Sequence, residues 1–301
     1  LPALAGAIAG MGWCCGVQHR SLAAARRADA NAMDLAASLT LDEIDLPARP
    51  DTLVRLSLLL AEDEVDLAAV GVLVENDMAL AAAVLKAVNS PRYGLRTAMR
   101  SVRHAVNYLG LRETAGISYE AGLRAAFAPS AEVEAIWQRA ARRGQIMGRL
   151  GQVLGVKPWV AHSAGLFEEC GKAVLLQHAR DSYGAMLRAC GDDDTELLAL
   201  ENSRFGIAHD ALGAALCEAW QLDGDAVACV RQHVAVRTSR QLPAQGIHGA
   251  VSALSAVAGA LMHAPQEVAD VAAQVAPQAL LDAGRVLEAV TRVRQSLPQP
   301  A

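Results

Sequence analysis

The chain has 301 residues, enough for one large core or two smaller ones without disulfide or metal staples. It is 53% hydrophobic but only 4% aromatic, and Ala and Leu dominate the apolar count, which favours an all-α protein and disfavours strands and hairpins. A net charge of −5 argues against a general nucleic-acid binder, and six cysteines without a Cys-x-x-Cys pair read as reduced, buried thiols in a cytosolic protein.

Residues 1–17 carry no charge and are followed by His19, Arg20, Arg26 and Arg27. That polarity suits an inner-membrane anchor whose C-terminal side faces the cytoplasm, although the run is short and diluted by Gly and Ala. Residues 18–43 read as a polar, Ala-rich helix or linker. From Leu46-Pro-Ala-Arg-Pro50 onward the helix signals are regular. Asp51 is placed to cap a helix to about Ala61, Asp66 one to Asn76, and Asp77 one over Met78–Val88. Asn89-Ser-Pro-Arg-Tyr-Gly94 is a loop, because Pro91 breaks the helix and Gly94 permits positive φ. Ser101 caps a helix ending near Leu109-Gly110, and a further helix runs to Phe127. Pro129-Ser130 then marks a boundary, giving an N-terminal segment over 1–43, a helical lobe over 44–128 and a second lobe over 129–301.

In the second lobe, helices are predicted near 131–153, 158–178, 182–190, 194–204, 208–221, 225–236, 246–263 and 278–296. The helix over 158–178 contains Ala161-His-Ser-Ala-Gly-Leu-Phe-Glu-Glu-Cys-Gly-Lys172, with adjacent carboxylates at Glu168 and Glu169. Neighbouring helix residues point about 100° apart, which suits a general acid/base pair poorly. A better role is ion pairing, one carboxylate facing solvent and the other meeting Arg142, Arg143 or Lys172. His162 lies seven residues before Glu169, on the same face of an unbroken helix. His209, Gly213, Leu216 and Trp220 share another stripe. His209 and His233 read as core residues whose ring nitrogens find backbone or carboxylate partners. There is no phosphate-binding Walker loop, no Gly-x-Ser-x-Gly elbow and no His-Glu-x-x-His helix.

Leu166-Phe-Glu-Glu-Cys-Gly-Lys172 resembles the segment of HD phosphohydrolases that reads apolar-apolar-His-Asp-x-Gly-Lys, where the His-Asp pair binds the catalytic metal. Here Glu-Glu replaces the pair, and Gln138, Arg139 and Ala140 stand near Trp137, where an upstream metal histidine would fall. The ordered set of motifs is similar to the HDOD family, non-catalytic relatives of those enzymes. It comprises Leu46-Pro-Ala-Arg-Pro50, Val74-Glu-Asn-Asp-Met78, Val88-Asn-Ser-Pro-Arg-Tyr-Gly94, Ser101-Val102, Leu109-Gly110, Trp137 and Leu166 to Lys172. Phe205-Gly-Ile-Ala-His209, Leu212-Gly213, Trp220 and His233 complete it, over roughly residues 44–240.

The resemblance implies an all-α, two-lobed HDOD fold with a degenerate HD-type bundle. It implies a bacterial regulatory module acting through contacts with signalling proteins, with a small molecule or nucleotide as a candidate modulator. No catalytic residue, metal or cofactor is expected. Glu168, Glu169, Lys172 and Arg139 mark the vestigial site. Asn89, Tyr93, Gly94, His162, His209, Trp220 and His233 are candidates for a partner or ligand groove. The rival reading is a residual metal-dependent nucleotide phosphohydrolase. An attachment through residues 1–17 would make the module a membrane-proximal scaffold.

Overall fold

A computed structural model describes residues 51–60, 65–244 and 246–296; the expectations for residues 1–43 lie outside them. Among the described residues every regular element is helical. The α-helices are α1 (Asp51–Leu60), α2 (Leu67–Glu75), α3 (Met78–Val88), α4 (Val102–Ala125) and α5 (Ala131–Leu154). They continue as α6 (Pro158–Phe167), α7 (Cys170–His178), α8 (Arg180–Cys190), α9 (Asp194–Phe205) and α10 (His209–Ala219). The last four are α11 (Gly224–Ser239), α12 (Ala250–His263), α13 (Val268–Val275) and α14 (Ala283–Ser296).

Local chemistry sets several of these starts. The Asp66 carboxylate accepts the Ala68 N–H at 2.8 Å, and Asp77 accepts those of Ala79 and Leu80 at 3.0 and 3.1 Å. Ser101 and Ser130 cap α4 and α5 through the N–H groups of His104 and Val133. Each such cap satisfies a donor that the helix itself cannot, worth about 1 kcal/mol. Gly110 bends α4 with φ 74° and ψ 174°, so the two helices expected around it join across a kink.

The expected continuous helix over 158–178 is two helices. Glu168 ends α6, and Glu169 (φ −100°, ψ 4°) leads into α7. Each half is docked on a different neighbour. A Cβ on Gly165 would lie 2.8 Å from Met147 Sδ and 2.9 Å from the Gly144 nitrogen, so α6 sits tightly against α5. A Cβ on Gly171 would lie 1.9 Å from the His209 carbonyl oxygen, so α7 sits against α10. One straight helix could not meet both. Consequently His162 and Glu169 do not share a face. The C-terminal region also differs from expectation: α13 lies where no helix was predicted, and a turn at Pro277–Ala279 delays the start of the last helix to Ala283.

Two apolar cores result. The first gathers Leu56, Val74, Val84, Leu123, Ile136, Phe167 and Trp220 from the N-terminal helices and from α5, α6 and α10. The second gathers Ile146, Met147, Leu150 and Ala161 with Leu254, Val257, Val271 and Val290. Helix α5 therefore serves the first core with its N-terminal half and the second with its C-terminal half. No single described helix is long and apolar enough to cross a membrane. The apolar pair α2–α3 is bent by 113° and buries Val70, Val74, Leu80, Val84 and Val88.

Candidate functional site: a locked carboxylate doublet

The break between α6 and α7 delivers Glu168 and Glu169 to the interior, 0% and 3% exposed. Four cations meet them there. Arg139 and Arg143 lie four residues apart on one face of α5. Arg139 donates through Nε and Nη2 to Glu169 Oε2, at 3.0 and 2.9 Å. Arg143, itself 1% exposed, donates through Nη1 to Glu169 Oε1 at 2.8 Å, and its Nε stands 3.3 Å from Glu168 Oε2 without hydrogen-bond alignment. Arg237 of α11 bonds Glu168 Oε2 and, at 3.2 Å, Asp194 Oδ2. Lys172, in the first turn of α7, holds Asp194 Oδ1 at 2.7 Å and lies 3.8 Å from Glu169 Oε2.

Desolvation alone would push the Glu169 carboxyl up. The charges of Lys172, Arg143 and Arg139 outweigh it and hold the carboxyl well below its ordinary value. Arg143 behaves reciprocally: burial opposes its charge, but Glu168 and Glu169 overcome burial and raise its pKa. Arg237 ends below the ordinary value, because burial and repulsion from Arg143 exceed the pull of Glu168 and Asp194. A buried carboxylate pair of this kind is stable only while its cations stay in place.

The positions where an HD hydrolase binds metal do not fit one here. Guanidinium and ammonium groups already take oxygens of both carboxylates, and neither position offers an imidazole. Neither carboxylate faces solvent, contrary to expectation. Arg142 is exposed, whereas Arg237 completes the set.

Behind the lock lies a second polar cluster. Tyr183 donates to Glu201 Oε1 at 2.5 Å, and the His209 backbone N–H donates to Glu201 Oε2 at 2.8 Å. His209 Nδ1 lies 2.8 Å from Glu201 Oε2, and His233 Nδ1 lies 2.7 Å from the Val230 carbonyl oxygen. Both rings are buried, with centroids 5.4 Å apart, and the Nε2 of each has no hydrogen-bond partner. Each ring is satisfied on one side only. Burial of Tyr183, with Glu201 beside it, raises the phenol pKa well above its ordinary value.

The HDOD domain family model matches residues 46–236, well over half of the chain. The chain belongs to the HDOD family. A protein of Treponema pallidum (strain Nichols), described as an uncharacterized protein, is 26% identical over 202 residues, covering 66% of this chain. This chain spans only 39% of that relative's length. The "Putative phosphohydrolase" structure from Shewanella amazonensis SB2B superposes with TM-score 0.64 at 18% identity, covering 85% of this chain and 94% of its own. A "Putative signal transduction protein" from Marinobacter aquaeolei VT8 reaches TM-score 0.67 at 21% identity, covering 93% and 63%. At these identities the likeness is one of fold. The HDOD domain thus shares its fold with proteins named as a phosphohydrolase and as a signal transduction protein.

Within the HDOD domain the groove candidates separate into two places. Asn89 closes the loop after α3: its Nδ2 donates to the Leu85 and Met99 carbonyls, and its Oδ1 accepts the Met99 N–H. Gly94 adopts φ 59°, and the Tyr93 hydroxyl donates to Glu113 at 2.7 Å. Tyr93 helps line a cavity of about 980 Å³ with Arg92, Tyr108, Arg149 and Trp159, and His162 stacks on Trp159 at 5.5 Å. Burial lowers the His162 pKa to about 4, so its ring is neutral at neutral pH. Trp220 instead packs edge-on against Phe167 in the first core. A third space of about 460 Å³, beside the lock, is lined by Arg139, Arg143, Lys172, Arg237 and His263.

Sequence reasoning missed Asp194, Glu201, Tyr183 and Arg237. Their partners are 8 to 69 positions away and lie on other helices, beyond the periodicity of any one helix. The one usable hint was a charged residue on the apolar side of a helix: Glu201 among Leu197 and Phe205, and Arg237 after Val230 and Val234.

Proposed function

We propose that this HDOD domain is a non-catalytic regulatory module of bacterial signalling, working through protein contacts. One observation carries the reading: both doublet carboxylates are engaged by the chain's own cations, Arg139, Arg143, Lys172 and Arg237. Hydrolysis of a phosphate ester by an HD-type site needs metal-activated water at that place. The lock spends those carboxylates on tying α5, α7, α9 and α11 together, a use suited to a rigid scaffold. The neighbouring 460 Å³ space supports modulation by a small ligand. A cytoplasmic setting, with residues 1–17 as an inner-membrane attachment, belongs to the same proposal and is checked by fractionating the full chain.

The reading is tested by phosphate release from a nucleotide panel with added Mn²⁺ or Mg²⁺. The expected result is no release above the protein-free rate. Turnover that disappears in Glu168→Gln or Glu169→Gln would overturn it, making the glutamates replacement metal ligands.

A further inference from the structure

We infer that Asp194, His209 and His233 form a binding site for a divalent first-row transition-metal ion, separate from the Glu168–Glu169 doublet. One donor atom from each of the three lies within 4.8 Å of the others. Such ions form bonds of roughly 2.0–2.2 Å with imidazole and carboxylate, so the three side chains would close in around a bound ion. The residues come from the start of α9, the start of α10 and the middle of α11, where three helices converge on one point.

The supporting bonds are those a metal site needs. A histidine that binds through Nε2 must present a lone pair there, which requires its proton on Nδ1 and a partner to hold it. His209 Nδ1 faces the Glu201 carboxylate, and His233 Nδ1 faces the Val230 carbonyl. Glu201 is in turn fixed by the Tyr183 hydroxyl and the His209 backbone N–H. Both Nε2 atoms are buried and lack hydrogen bonds, an arrangement that is unfavourable for each unsatisfied group. A single ion would satisfy both. Two imidazoles and one carboxylate select Zn²⁺, Co²⁺ or Fe²⁺ over Mg²⁺ and Ca²⁺, which prefer all-oxygen sets.

Two cations oppose the ion. Lys172 holds Asp194 Oδ1 and Arg237 holds Oδ2, so the ion must compete with two members of the lock for one carboxylate. Metal binding is therefore coupled to the lock: drawing Asp194 toward the histidines loosens Lys172 and Arg237. It also follows that removing the Lys172 charge should strengthen binding, because a like charge beside the ion is lost.

The test uses the full chain, stripped with chelator and titrated with Co²⁺, followed by visible absorption and by the thermal midpoint. One equivalent is expected to bind, with the absorption of a nitrogen- and oxygen-ligated ion, and Zn²⁺ is expected to displace it. His233→Gln and Asp194→Asn should each weaken binding by about tenfold or more, the usual scale for damage to a metal site. Lys172→Met should tighten it by about tenfold, which a purely structural role for these residues would not produce. Absence of a bound equivalent in the wild-type chain would overturn the inference and leave the two nitrogens to a buried water. Binding that is unchanged in His233→Gln, or weakened in Lys172→Met, would overturn it as well.

Discussion

Glu169 accepts hydrogen bonds from two guanidinium groups and sits within ion-pair reach of Lys172, all inside the protein. Its loss therefore strands charge. Glu169→Ala should cost about 3 kcal/mol or more, a Tm loss on the order of 10 °C in a domain of this size. A thermal melt checks this, and an unchanged midpoint would count against the lock. His162 gives a pH dependence whose sign follows from its depressed pKa of about 4, against 6.5 when exposed. Between those values the unfolded chain binds a proton that the folded chain refuses. The contribution is therefore complete above pH 6.5 and lost as the pH falls toward 4, amounting to about 3 kcal/mol. Denaturation of wild type and His162→Gln across that window should show the variant losing stability less steeply; parallel curves would rule His162 out as the source. Arg139 was legible in the sequence as positive charge beside the doublet. Arg237 and Asp194 were not, since each reaches the site from a helix far along the chain.

The helices owe their starts to short-range chemistry, and those starts were readable. Asp66, Asp77 and Ser101 were read as caps, and each accepts a backbone N–H within three residues, as does Ser130, which was read only as part of a boundary. The α6–α7 break was not readable, because Leu166-Phe-Glu-Glu-Cys170 contains nothing that ends a helix by itself. What ends it is docking: Gly165 on α5 and Gly171 on α10. Gly171→Ala should then destabilise the protein by about 3 kcal/mol or more, since its methyl would meet backbone atoms that cannot yield. Gly224→Ala is the control, with nothing within 4 Å of the added methyl and an expected gain of up to about 1 kcal/mol from helix propensity. Equal effects in a denaturant titration would remove docking as the cause of the break.

Across the whole molecule, the all-α, HDOD-type architecture was legible from composition and motif order, and the family match over 46–236 agrees with the 44–240 read from the motifs. The role of the C-terminal helices was not. They lie beyond the match, yet α12, α13 and α14 supply much of the second core that covers Ile146, Met147 and Leu150 of α5. Deleting residues 241–301 should expose that surface and yield an insoluble or poorly folded chain; a soluble product with the full-length Tm would show the second core to be dispensable. The lock stands between the two cores, so its strength is a property of global unfolding. A double-mutant cycle on Arg143→Met and Glu169→Gln, read by denaturant unfolding with chelator present, measures it most directly. A coupling of about 1–3 kcal/mol that persists without metal is the expected result. Additivity within about 0.3–0.5 kcal/mol would contradict the claim that the chain's own cations have taken the metal's place at the doublet.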